Sequence, residues 1–593
     1  MNQNLEPDAC LAINLHPVTF EVLRSIFLYA SDRMSTVLQR ASFSPILADC
    51  VDFSNAIYDY EAKLLSQAAN CPVHLAAMKF STEAIIEEFP IAEMKQGDVY
   101  LLNDPYKGGT HINDVTFLMP LFYSDEVIGF AVSRGHWMDL GGGAAGGQAF
   151  GGTHIAGEGL RLPPLKLYDG GVLREDLLKI IINNTRTPHY VRGDTYAHVG
   201  ALRAAQQELQ RAAEKYGVKT LKAAMKQLQG YTERIVRKSI LEIADGTYEA
   251  EDYVDTDGHS NQPIPIKVKL IISGSDITVD FDGTGPVVKG AINSPFANTA
   301  SATLYSLQFF LAPHAPQNEG MFNAIKIRVP DDCWLNAKWP APTIGCTTVT
   351  SSKIASAIWQ ALSKARPDKV TGSTSADANW LVSTVVNSDG TSGVFADVPA
   401  GGWGGTPFAD GMSVTEDPLG NCMNMPAETA ELLFPIVYES FELRPDSAGP
   451  GKYRGGLGAI FKIRYLTDGE LSMESSRMWA GSPGVNGGLP SATQRQIRIR
   501  KDNSYEVIGG WDKDKFRSPL LSNVPFSPGE TFLFESTGGG GWGDPVLRDM
   551  NKVLDDVLDE YISLETARAV YKVEIDLKNK CVDVEATKAL RQA

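Results

Sequence analysis

The sequence predicts an α+β fold of several domains, with mixed β-sheets, an N-terminal amphipathic helix, a central helical region and a helical C-terminal tail. Three observations predict it. The chain has 593 residues, far more than one hydrophobic core usually organises. Its apolar residues switch along the chain between the 3.6-residue period of a helix and the two-residue alternation of a strand. Clusters of glycine and proline separate these stretches, as turns and loops do. With 43% apolar and 21% charged residues, the composition is that of an ordinary folded protein.

The elements follow in order. Residues 18–40 place Phe20, Leu23, Phe27, Ala30, Met34 and Leu38 near helical spacing, and Pro17 suits the first turn of that helix. Strands are expected at 52–58 and 98–102, and two more within 116–131, split at Tyr123–Ser124–Asp125–Glu126. From 139 to 159 the chain reads GGGAAGGQAFGGTHIAGEG after Asp139 and Leu140, a loop packed against or over a pocket. A long helical region is expected from about 197 to 243. Residues 248–327 alternate with period two, and a further β-rich part, punctuated near 400–407 and 444–458, runs to about 535. The tail from 544 is helical by composition. These readings divide the chain at 1–245, 246–335, 336–545 and 546–593.

Against 54 basic residues stand 71 acidic ones, a net charge of −17. A nucleic-acid or anionic-membrane partner is therefore not expected. Seven cysteines, at 10, 50, 71, 333, 346, 422 and 581, include no CxxC pair, which argues against a disulfide framework or a cysteine zinc module. Residues 1–16 lack the basic and apolar runs of a signal peptide, and no stretch has the apolar length of a membrane helix. A cytoplasmic protein is expected.

Two histidines carry the strongest chemical signal. His111 and Asp114 form a His-x-x-Asp pair in GGTHIND, and His136 follows in SRGHWMD, at the end of an apolar strand-like run. Asp52 begins another strand. Two imidazoles and two carboxylates suit zinc, manganese or iron, which would polarise a carbonyl or phosphoryl oxygen or activate water. The spacing alone fits hydrogen-bonded structural roles as well. His74, in CPVHLAAM, reads as a core histidine; His154 and Glu158 could reach a pocket from the glycine loop or cap it. TGGGGWGDP at 537–545 has the glycines of a phosphate loop but no Lys-Ser/Thr, so close backbone packing is expected there. DFDGTG at 280–285 is a single acidic-glycine turn. No GxxxxGK[ST] sequence occurs, and ATP binding by this chain is not expected.

Taken in order, VDFSNAIYDYEAKLLSQAANCPVHLAAM, GDVYLLNDPYKGGTHINDVTFLMPLF, SRGHWMDLGG, EGLRLPPLKLYDGG, INNTRTPHYVRGD and SPGETFLFESTGGGGWGDP resemble the hydantoinase B/oxoprolinase family over nearly the whole chain. The resemblance implies a B-type subunit of an ATP-dependent hydrolase of lactams, hydantoins or 5-oxoproline. Its A-type partner, of actin-like ATPase fold, uses ATP and magnesium to phosphorylate the substrate's carbonyl oxygen, in an α2β2 complex. It also implies one divalent metal on His111, Asp114 and His136, with Asp52 as the fourth ligand. Water activated on the metal would attack the phosphorylated intermediate. Asp139 and His74 are expected to orient the ligands, and the loop from Gly141 to Gly159, with Trp137, His154 and Glu158, to border the pocket.

The sequence departs from the family pattern where Asp49–Cys50–Val51 replaces a Glu-Arg pair and where Trp137 replaces a second histidine. Trp137 and Met138 are expected to make the pocket more apolar, favouring an aliphatic lactam. Two other readings stay open: a subunit of a ketone carboxylase of the acetone or acetophenone type, and a non-catalytic scaffold for the ATPase subunit.

Overall fold

The computed structural model describes residues 15–387 and 389–592. The expectation about a signal peptide falls on residues 1–16, all but the last two of which lie outside the described residues. Helix α1 (Pro17–Ala41) begins at His16, whose imidazole accepts from the Val18 N–H, and buries Leu23, Phe27, Ala30, Met34 and Leu38 on one face.

Seven antiparallel strands follow: β1 (Phe53–Tyr58), β2 (Leu64–Gln67), β3 (Val99–Leu102), β4 (Asp114–Tyr123), β5 (Glu126–His136), β6 (Leu165–Asp169) and β7 (Val172–Leu173). They form one sheet in the order β2-β1-β5-β4-β3-β6-β7. The turn expected between β4 and β5 is Ser124–Asp125, with Ser124 left-handed at φ 53°. Both faces of the sheet are covered. Phe53, Ile57, Phe117, Met119 and Ala131 face one apolar cluster together with α1, whereas Ala56, Tyr58, Leu118, Phe130 and Val132 face a second with helix α2 (Pro72–Glu88). Strands covered on both sides read as continuous apolar runs rather than as alternation.

The central helical region is two helices, α3 (Pro188–Tyr216) and α4 (Val218–Ile240). They start earlier than the periodicity suggests and break at Gly217, where φ is +80°, a conformation that favours glycine. α1 and α3 pack along each other against the sheet.

The alternating stretch forms a second sheet from β8 (Gly246–Val254), β9 (Ile264–Ser273), β10 (Asp276–Asp280) and β11 (Ile325–Arg328). Two helices not expected from the sequence lie in the β-rich parts: α5 (Phe296–Leu311) and α6 (Thr350–Ala365). Both are buried nearly all round: α5 has no polar face of the kind that marks an amphipathic helix, and α6 carries a stripe of Lys353, Ser356 and Gln360 that is itself largely buried. α6 covers β8 and β9, and α5 packs on α2 and α6. Two further sheets, of four and six strands, are built mainly from residues 381–535. The tail carries helices Met550–Leu558, Leu564–Ala569 and Val584–Gln592 around a small cluster of Val553, Ile562, Ala567 and Tyr571.

The stretch at 537–545 is a close-packed backbone strut. A Cβ on Gly539 would lie 2.0 Å from the Trp403 carbonyl oxygen, and one on Gly541 2.0 Å from that of Pro450. Among the described residues, no helix is long and apolar enough to cross a membrane.

Candidate metal centre

Strand register brings the acidic and imidazole groups together. Asp114, first residue of β4, pairs directly with His136, last residue of β5. On the other side of β5, Phe53 pairs with Gly135, and the His136 N–H donates to the Asp52 carbonyl at 3.0 Å. Side chains alternate along a strand, so Asp52, Asp114 and His136 project from one face, towards α2. His74, in the first turn of α2, meets them there, and His111 reaches in from the turn before β4.

The groups converge on one carboxylate oxygen. Asp114 Oδ1 lies 2.9 Å from His111 Nε2, 3.3 Å from His74 Nε2 and 3.5 Å from His136 Nδ1. The Asp52 carboxylate stands 3.8 Å from both His74 Nε2 and His136 Nδ1. All five side chains are buried. Even so, Asp114 Oδ1 and His111 Nε2 have no hydrogen-bond partner in proper geometry, although buried polar atoms are nearly always paired. His111 Nδ1 lies 3.0 Å from the Ile344 carbonyl oxygen. Donation there places the hydrogen on Nδ1 and turns the Nε2 lone pair towards Asp114. Lone pairs of nitrogen and oxygen facing one another are the donor set of a borderline divalent cation.

The electrostatics agree. Burial disfavours a charged His74, but Asp114, Cys71 and Asp52 outweigh it and raise the imidazole pKa to about 10. Burial opposes the charged form of His111 as well, and Asp114 and Glu474 raise its pKa. Burial works against the Asp114 carboxylate too, yet His111 and His74 hold it well below the usual range. The site therefore already favours a positive charge beside Asp114.

The other residues singled out in the sequence have different places. Glu158 is buried and accepts from the Thr343 and Ile344 N–H groups at 2.6 and 2.9 Å. It thereby fixes the turn whose Ile344 carbonyl holds His111. Asp139 does not touch the cluster: it lies beyond the end of β5 and binds Arg186, Thr185, Gly141 and Gly146, tying down the glycine-rich loop. Trp137 points to the opposite face from His136, by strand alternation, and packs near Phe117 in the other apolar cluster; it does not line the site. His154 is exposed, accepts from the Ala156 N–H and stands edge-on to Trp339.

The cluster borders a pocket of about 40 Å³ lined also by Cys71, Thr348, Trp380, Glu416 and Cys422; of these, Cys71 alone lies in a stretch singled out from the sequence, CPVHLAAM. A larger cavity of about 380 Å³, walled by Pro72, Leu75, Tyr305, Phe309 and Trp403, shares Glu416 and Asp417 with it.

The sequence matches the hydantoinase B/oxoprolinase family model over residues 16–545. The chain belongs to the hydantoinase B/oxoprolinase family. A protein of Pseudomonas sp. (strain NS671), named as the putative B-type subunit of a D-/L-hydantoinase, is 32% identical, the match covering 98% of each chain. The crystal structure of ATP-dependent caprolactamase from Pseudomonas jessenii superposes with a TM-score of 0.90 at 28% identity, over 98% of this chain and 100% of that one. A nucleotide-free acetone carboxylase structure superposes with a TM-score of 0.88 over 97% of this chain and 82% of that one. At 20% identity this last likeness shows the fold alone.

Proposed function

We propose that this chain is the metal-holding B-type subunit of an ATP-dependent hydrolase of cyclic amides, acting with a separate ATPase subunit. The observation that carries the reading is the convergence of His111, His136 and His74 on Asp114, with Asp52 beside His74 and His136 and buried donor atoms left unpaired. His111, Asp114, His136 and Asp52 would hold a divalent ion, and His74 is placed to join or orient them. Such an ion supplies Lewis-acid polarisation of the substrate and a water activated near neutral pH.

The chain's own residues do the rest. Glu158 fixes the turn that orients His111, a support of the kind that tunes ligand basicity and position. The small pocket leaves room for ions and a few waters and is too narrow for a ring. The adjoining cavity of about 380 Å³ lies in the size range of small-molecule sites and has the apolar walls they favour. Glu416 and Asp417 line both spaces, so a lactam or hydantoin ring seated there would lie next to the pocket of the metal centre. An unstrained amide resists attack, so activation by phosphorylation on a partner subunit fits a site that has acid–base and metal-ligating groups. The subunit naming of the Pseudomonas relative supports a hetero-complex.

The test is co-expression with an ATPase subunit from the same organism and an assay of lactams and hydantoins with ATP and magnesium. Ring-opened amino acid and phosphate should appear together without bicarbonate. Product that requires bicarbonate, or ATP turnover that leaves every ring closed, would contradict the reading.

A further inference from the structure

A second set of metal-ligating side chains adjoins the first. Cys71, immediately before α2, and Cys422, from the loop before helix Ala427–Leu433, bring their sulfurs into one group with a carboxylate oxygen of Asp52, all within 4.8 Å of one another. Both thiols are free. They line the same small pocket as His74, His111 and His136. Mutual separations below 4.8 Å match the edges of a tetrahedron with metal–sulfur bonds of about 2.3 Å and metal–oxygen bonds of about 2.0 Å.

Asp52 links the two groups. Its Oδ1 lies 3.8 Å from His74 Nε2 and its Oδ2 3.8 Å from His136 Nδ1, while the same carboxylate belongs to the cysteine group. A carboxylate shared in this way is the bridge of two-metal centres, whose ions stand about 3.5–4 Å apart. The donors differ in softness: imidazole and carboxylate on one side, thiolate and carboxylate on the other. Thiolate sulfur selects zinc and similar thiophilic divalent ions over magnesium or calcium.

We propose that Cys71, Cys422 and Asp52 hold a second, thiolate-bound divalent cation beside the histidine-held one, with Asp52 bridging the pair. Binding deprotonates both thiols, each S–H giving way to a metal–sulfur bond and the protons leaving to solvent. The proposal rests on the reading above only for the first ion, and the two can fail separately.

The experiment is cobalt(II) reconstitution of the full-length chain, followed by elemental analysis and near-ultraviolet absorption. The proposal expects two equivalents per chain and a thiolate-to-cobalt charge-transfer band. The Cys71→Ser, Cys422→Ser double variant should lose the band and one equivalent, keeping the ion on the histidines. The wild-type spectrum needs no variant to fold. One equivalent without a charge-transfer band would overturn this proposal and leave the histidine site standing. A Cys71–Cys422 disulfide in natively purified protein would overturn it too. No ion at all would overturn both.

Discussion

Asp114 Oδ1 faces three imidazole nitrogens at 2.9, 3.3 and 3.5 Å, and this crowding sets the acid–base behaviour of the site. With no cation bound, His74 takes up that role: its pKa, raised to about 10 by Asp114, Cys71 and Asp52 against the pull of burial, keeps it protonated through the neutral range. A raised imidazole pKa contributes stability that is fully present below the ordinary value near 6.5 and fades as pH rises through about 10. A metal ion needs the neutral ring, so loading near pH 7 must expel protons, and affinity must fall as the solution is acidified. Calorimetry of metal binding in buffers of differing ionisation heat should therefore report net proton release. Binding that is proton-neutral and flat between pH 6 and 9 would contradict this assignment of His74. His111, Asp114 and His136 stand out in the sequence because a short motif and a strand end carry them. His74 reads as a core histidine because its neighbours are apolar, and it is indeed buried; its charge partners come from other strands.

The geometry of the cluster is a matter of register. Asp114 opposes His136 across β4 and β5, and a one-residue slip would turn both side chains to the other face. Gly135 guards that register, since a Cβ there would sit 2.7 Å from His198 Nε2 and 3.1 Å from Leu47 Cδ2. His198 is locked by its contact with Ser133 Oγ at 2.8 Å and by stacking on Phe117. Burial holds its pKa down to about 3, so it is neutral and cannot escape to solvent as a cation. Gly135→Ala should shift the end of β5 and lower metal affinity by about 10–100-fold, the usual effect of losing ligand support, while circular dichroism stays native. Unchanged metal content would show that the strand end absorbs the methyl group. Elements with a polar and an apolar side, such as α1, are legible in the sequence almost to the residue. α5 is not, because a helix buried all round leaves little periodic signature; α6 does carry a helical stripe of Lys353, Ser356 and Gln360, but within a stretch whose glycines and prolines point to strands. Cys422 and Glu416 escape notice for another reason: they reach the pocket from a segment distant from the histidine motifs, whereas Cys71 lies three residues before His74 in a stretch that reads as core.

Over the whole molecule, the site depends on segments far apart in sequence. One apolar cluster joins α1, α3 and the seven-stranded sheet to strands from 381 to 534, and the other joins the opposite face of that sheet to α2, α5 and α6. The C-terminal tail is fastened by Arg548, buried and bound to both Asp410 and Asp556, with Arg454 also on Asp556. Removing one member of a buried charge network leaves the others uncompensated, so Arg548→Ala should destabilise the fold by about 3–5 kcal/mol, read as a lower denaturant midpoint. A change within about 0.5 kcal/mol, the range of ordinary surface substitutions, would mean that the tail is not held this way. The central claim is that the convergence at Asp114 is a metal centre, and elemental analysis of the purified wild-type chain beside a His111→Ala, His136→Ala double variant tests it most directly. The wild type should carry a full equivalent of divalent metal more than the folded variant. Equal metal content in the two proteins would contradict it.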